Sequence, residues 1–427
     1  MNEVAATHEP VVVISSDGHA SARMEEYKPY LEKEWHEEFD EFCKLYDEIG
    51  SRNFEPRALE MRLDEESIQE WIARTNPDRL DGNYEPAKRL YEIEREGIVG
   101  EVLFPDFGLP FELNSPLRDA TLGTAPRSPE KIEAANRAYS RWLVDYCSFA
   151  PERFAAMAPI SFLAFQDVDM ALEQIRWAKN AGMRGIVPPM FNAEFPLYHT
   201  KFDPIWAECS ELDMVVNAHA ALSGVRTPDA FKAPLPHPAI GFPMLQTRRS
   251  AQDLLAHFIW GGVFERFPKL KLVMSELTSG WVISEMKQMD YSYEGSYLSH
   301  DIREVMPHKP SFYYDRQVFL GSSTFSREEV ERRHEIGLGN MMLGIDYPHH
   351  EGAWNGGTTD YFQATLGAAQ VPEDEARLML GKTAADVFGF DYDALAKVAA
   401  TVGPKLDEIL VPPTEDKFPR GDVHKPI

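Results

Sequence analysis

The chain has 427 residues, 44% hydrophobic and 26% charged, a composition able to bury a large core and unlike that of a disordered segment. Its 69 Asp and Glu outweigh 43 Lys and Arg, and the resulting formal charge of -26 repels phosphate backbones and anionic membrane surfaces, which argues against nucleic acid and membranes as partners. Cys43, Cys147 and Cys209 are too scattered for a disulfide framework or a thiolate zinc site; with neither a signal-peptide pattern nor an apolar run of membrane-spanning length, a cytoplasmic protein is expected.

After a short arm at 1–10, apolar and β-branched runs predict strands at 11–16, 98–104, 154–162, 184–188, 214–218, 270–275, 318–322 and 341–345. Between them the pattern predicts a helix over 129–147 opened by Ser128, one over 168–181 closed by Gly182, and one over 204–211 opened by Asp203. Further helices are expected at 251–267, 281–290, 327–336 and 373–388. Strands alternating with helices indicate an α/β protein, and eight of them indicate a (β/α)8 TIM barrel over 11–390; an open doubly wound sheet is the alternative.

Two stretches exceed a simple crossover. Residues 20–97 form a long insertion after the first strand, rich in Glu and aromatics at helical spacing over 27–46, and read as a lid or a subunit contact in a homo- or hetero-oligomer. Residues 222–249 carry Pro228, Pro234, Pro236, Pro238 and Pro243 and read as an irregular loop beside the fifth strand's C-terminal end. Residues 391–427 form a C-terminal tail, which from Val402 onward reads as an extended segment wrapping the surface or as disordered.

Polar residues stand where the strand runs stop, the end at which barrels build active sites. Asp17-Gly18-His19 ends the first run, with its two ligand-type side chains two residues apart. His219 ends the fifth, Glu276 the sixth and Asp346 the eighth, followed at once by Tyr347-Pro348-His349-His350. Strand parity groups Val13 and Ser15 with Asp17, Val215 and Asn217 with His219, and Leu272 and Met274 with Glu276; if those faces point inward, the ligands converge. Nitrogen and oxygen donors without thiolate suit zinc, manganese or iron. Asp17, His19, His219, Glu276, Asp346 and His349 or His350 exceed what one ion needs, so either some support the others or two metals bind.

Other polar residues carry less. Asp106 after the second strand reads first as a turn, and His257 as helix packing. Arg226 and Lys232 are candidates to bind a substrate carboxylate, with Arg248 and Arg249 nearby, and His199 has no assigned role.

Taken together, Asp17-Gly18-His19, His219, the segment Ser275-Glu276-Leu277-Thr278-Ser279-Gly280-Trp281, and Gly344-Ile345-Asp346-Tyr347-Pro348-His349 resemble the amidohydrolase-related branch that includes aminocarboxymuconate semialdehyde decarboxylase. The resemblance runs over about 11–390. It implies a barrel with a metal at its C-terminal mouth held by Asp17, His19, His219 and Asp346, with Asp346 also acting as a base. The chain departs from that branch in having Glu276 where His is common, and in the extra His350.

The expected function is a metal-dependent hydrolase or non-oxidative decarboxylase of a small carboxylate, amide or lactone, with Asp346 and Glu276 as catalytic groups. One alternative is a nonheme dinuclear iron or manganese/iron monooxygenase, since a branch of the same barrel family that resembles this chain carries out diiron hydroxylation. A catalytically silent partner subunit is the other.

Overall fold

A computed structural model of the protein describes residues 9–49, 77–106, 109–112, 128–189, 195–220, 248–249, 252–295, 302–322, 324–349, 352–354 and 356–414. Each apolar run expected to be a strand contains one: β1 (Ile14–Ser15) and β2 (His19–Ala20), β3 (Gly100–Pro105), β4 (Phe154–Pro159), β5 (Gly185–Val187), β6 (Val215–His219), β7 (Leu272–Ser275), β8 (Val318–Ser322) and β9 (Met341–Leu343). β1 and β2 are two halves of one barrel strand, interrupted at Ser16-Asp17-Gly18, and both pair with β3. The remaining strands pair in chain order, all parallel.

The last strand meets the first. Ser16 N donates to Leu343 O at 2.7 Å, Asp346 N to Asp17 O at 3.1 Å, and His19 N to Tyr347 O at 2.8 Å. Sequential order and a closed seam define a (β/α)8 barrel and exclude the doubly wound sheet, whose strand order reverses.

Local signals explain most helix boundaries. Ser128 Oγ accepts from Lys131 N at 3.3 Å to open the helix Pro129–Cys147, and Gly182, at φ +90°, follows the helix Val168–Asn180. Three expectations change. The third expected strand, β4, stops at Pro159, because Ser161 Oγ caps a short helix Phe162–Gln166 by accepting from Ala164 N. Asp203 is the first residue of its helix rather than its cap. The helical stretch 252–260 breaks at Gly261-Gly262, where Gly262 adopts φ +69°, before Val263–Arg266 resumes.

Two layers of apolar side chains form the core. Val12, Ile14, Val102, Phe104, Met157, Val187, Val215, Val273 and Met342 fill the lumen, closed below by Ala384, Phe388 and Leu395. The alternate residues, among them Val13, Leu103, Ala156, Val216, Leu272 and Met274, pack outward against the helices.

The insertion supplies the helices His36–Ile49 and Pro86–Arg95, and the latter lies against the barrel seam through Arg89. In the tail region, Tyr392–Val402 is helical and packs Leu395 and Ala399 under the barrel. Beyond Val402 the chain is not extended throughout: Leu406–Ile409 is a helical turn with Leu406 and Ile409 buried. Of the proline-rich loop only 248–249 are described, as helical and exposed. No helix among the described residues is long and apolar enough to cross a membrane.

Candidate metal centre

The parity argument holds on β6 alone. Val215 belongs to the lumen core, so Asn217 and His219 share its inward face. Val13, Leu272 and Met274 instead face the helices. Asp17 and Glu276 nevertheless reach the mouth, because each lies just beyond a strand end: β1 stops at Ser15, and β7 stops at Ser275 before Glu276 turns at φ +57°. Asp346 likewise takes φ +56° directly after the last strand.

These turns bring two groups of donors, Asp17/His19/His219 and His19/Asp346/His349, together through His19. His219 Nε2 lies 3.1 Å from Asp17 Oδ1, His19 Nε2 lies 3.6 Å from the same oxygen, and His19 Nε2 lies 3.3 Å from Asp346 Oδ1. An ion held tetrahedrally at 2.0–2.2 Å has ligand-to-ligand edges of roughly 3.3–3.6 Å; two of these three separations fall in that range and the third lies just below it, close to what a first-row divalent metal needs. The other imidazole nitrogens are engaged: His19 Nδ1 meets Pro105 O at 2.8 Å, and His219 Nδ1 meets Ala220 O at 2.6 Å. Each ring therefore turns its Nε2 into the cluster. Among the described residues, His19 Nε2 and Asp346 Oδ2 are buried without a hydrogen-bond partner. Unsatisfied buried lone pairs of this kind suit a cation.

The electrostatics agree. Burial disfavours the His219 cation, but Asp17 beside it prevails and raises its pKa to about 9. Burial also opposes charge on Asp346, yet the His349 and His19 imidazoles hold its carboxyl well below the usual range. His349 is raised in turn, against burial, by Asp346 and Asp106. Protons on the imidazoles thus balance the carboxylates, a task a divalent ion also performs.

His349 stands beside the cluster, its ring stacked on His19 with centroids 4.1 Å apart. Its Nδ1 lies 2.9 Å from Asp346 Oδ1 and its Nε2 lies 3.2 Å from Asp106 Oδ1. Asp106 is no mere turn residue: it is buried, and its other oxygen accepts from Asn83 Nδ2 at 2.9 Å. Its position at the end of a barrel strand was the available signal. Asn83, from the insertion, had no sequence signal at all.

Glu276 is half-buried at the rim, 3.5 Å from His219 Nδ1. Burial, then repulsion from Asp346, push its pKa up to about 8. His350, Arg226 and Lys232 lie outside the described residues. His257 packs edge-on against Tyr198, and His199 Nδ1 accepts from Lys201 N.

Over residues 112–390 the chain matches the amidohydrolase family, and it belongs to that family. Among solved structures it is similar to an amidohydrolase from Mycobacterium avium subsp. paratuberculosis K-10, with 19% identity and a TM-score of 0.63 over 90% of this chain and 100% of that one. It is also similar to a 5-carboxyvanillate decarboxylase from Novosphingobium aromaticivorans DSM 12444 with bound manganese and 3-methoxy-4-hydroxy-5-nitrobenzoic acid, at 16% identity and TM-score 0.57 over 89% and 97% of the two chains. A dihydroxybenzoic acid decarboxylase from Polaromonas sp. JS666 with manganese and 2-nitroresorcinol gives 16% identity and TM-score 0.56 over the same shares, 89% and 97%. These likenesses are of fold. No curated protein matches the chain.

Proposed function

We propose that the protein is a metal-dependent hydrolase or non-oxidative decarboxylase acting on a small organic carboxylate, amide or lactone. The observation that carries this is the clustering of Asp17 Oδ1, His19 Nε2, His219 Nε2 and Asp346 Oδ1 at the barrel mouth, each within 3.6 Å of another of the set, with Asp346 Oδ2 buried and without a donor among the described residues. Those four residues would hold the ion. When bound, it supplies Lewis acidity, which lowers the pKa of water and anchors an anionic oxygen.

The chain's own groups handle the protons. Asp346 is kept a carboxylate by His349 and His19, and its Oδ2 has no donor among the described residues, so it accepts a proton at that oxygen. Glu276, raised towards neutrality at the rim, donates one to the leaving group in hydrolysis or to the carbon losing carbon dioxide in decarboxylation. His349, held by Asp106, orients Asp346.

One centre is favoured over two. Among the described residues, the two groups able to hold a metal, Asp17/His19/His219 and His19/Asp346/His349, share His19, whose Nδ1 is engaged by Pro105 O. A single Nε2 serves one ion. The manganese of the decarboxylases of like fold, and their aromatic acid and nitrophenol ligands, support a metal-dependent enzyme acting on a small organic acid.

Metal analysis of the purified protein and of Asp17→Ala and His219→Ala tests it, alongside anaerobic assays on hydroxybenzoate-type acids and lactones. The expected result is about one ion per chain, a loss of metal affinity in both variants beyond the roughly 100-fold that a supporting residue costs, and turnover without oxygen. Two iron atoms per chain with strict dependence on oxygen and a reductant would replace this reading with a hydroxylase.

A further inference from the structure

The Arg89 guanidinium, from the insertion helix Pro86–Arg95, is buried at the seam where the first and last barrel strands close. Its Nε donates to Glu101 Oε2 at 2.7 Å and its Nη2 to Glu101 Oε1 at 3.1 Å, a bidentate pair in which both side chains are 0% exposed. The same guanidinium donates through Nη1 to the main-chain carbonyl of His19 and through Nη2 to that of Tyr347 at 3.2 Å. Its Cζ sits 4.4 Å from the Tyr347 ring centroid. One planar group thus ties together a ligand-bearing residue of the first strand and the residue that follows Asp346. Gly18 shows how closely the pair approaches: a Cβ there would lie 2.8 Å from Arg89 Nη2 and 2.8 Å from Glu101 Oε1.

A buried ion pair seldom adds stability over apolar residues of like volume, so its presence calls for another reason. The two carbonyls it grips belong to segments whose relative placement sets the His19 to Asp346 spacing. We propose that Arg89, held by Glu101, is a positioning residue for the metal centre, fixing the first- and last-strand ligands at the separation that an ion needs. This rests on the metal-centre reading above. It also gives part of the insertion a role inside the site's support, beyond any lid or subunit contact.

The test is metal binding rather than turnover. Mn2+ affinity and the visible spectrum of the Co2+ form are measured for wild type, for Arg89→Met with Glu101→Leu, and for Arg89→Lys, each first checked for folding by circular dichroism and thermal melting. The double variant removes both charges and leaves no unpaired one; the lysine keeps the charge opposite Glu101 but cannot span both carbonyls. The expected result is folded variants with Mn2+ affinity reduced about 10- to 100-fold and an altered Co2+ spectrum. Wild-type affinity and an unchanged spectrum in either folded variant would overturn the role of Arg89, and Arg89→Lys decides if the double variant does not fold. Failure of the wild type itself to bind a metal would instead overturn the metal-centre reading.

Discussion

Asp106 Oδ1 and His349 Nε2 lie 3.2 Å apart across the barrel mouth, although 243 positions separate them in the chain. The contact leaves His349 Nδ1 facing Asp346 and makes Asp106 the group that sets the ring's orientation. Asp106→Asn keeps the shape but removes the charge. It is expected to lower turnover about 10- to 100-fold with metal stoichiometry unchanged, because it acts on a ligand's neighbour and not on the ligands. Parallel rate and metal measurements decide; loss of the ion would instead make Asp106 part of the coordination.

The metal-free protein should lose stability as pH rises from about 6.5 to 9. His219 has a folded pKa of about 9, above the roughly 6.5 of an unfolded imidazole, so the folded state binds this proton more tightly. That contribution is complete below the unfolded value and vanishes as pH passes the folded one. Glu276, raised to about 8, acts in the same direction from the unfolded carboxyl range upward. The combined effect is on the order of a few kcal/mol, read from urea midpoints across the range. With metal bound the trend should disappear or reverse, since the ion takes the place of the protons.

Gly18→Ala should destabilise the protein by about 1–3 kcal/mol, because the new methyl would lie 2.8 Å from both members of a fully buried ion pair and force it to shift. Urea unfolding of the metal-free protein gives the value. An unchanged midpoint would mean that the Arg89–Glu101 pair can shift without cost.

Glu329 holds the turn that follows Glu276. Its Oε1 accepts from Gly280 N at 2.8 Å and from Ser279 N, while its Oε2 accepts from Ser326 N at 2.8 Å. Glu329→Ala leaves these amides without acceptors, at a cost of about 1–3 kcal/mol. Hydrogen exchange at residues 279 and 280 should quicken, and persistent protection there would show that the turn is held by other contacts.

The strands and most helices were legible in the sequence because their signals are local. Alternating apolar residues, Ser128 as a cap and Gly182 as a stop each act within a few positions. The same holds for the placement of Asp17, His19, His219, Glu276 and Asp346 at strand ends. Parity was less reliable: it failed for Asp17 and Glu276, since both lie past the strand end, where a change in backbone direction rather than strand alternation sets where the side chain goes.

The sequence by itself determined the number of strands and the strand ends that carry metal-type donors, and left the choice between a closed barrel and a doubly wound sheet to the way those strands pair. Only the tertiary structure decided that His349 faces Asp106 and Asp346, that Asn83 and Arg89 reach back from the insertion, and that His19 turns a single nitrogen into the cluster. Closing the barrel joins Ser16 to Leu343, 327 positions apart. Contacts across that seam depend on how eight strands meet in space, and no local pattern of residues records them.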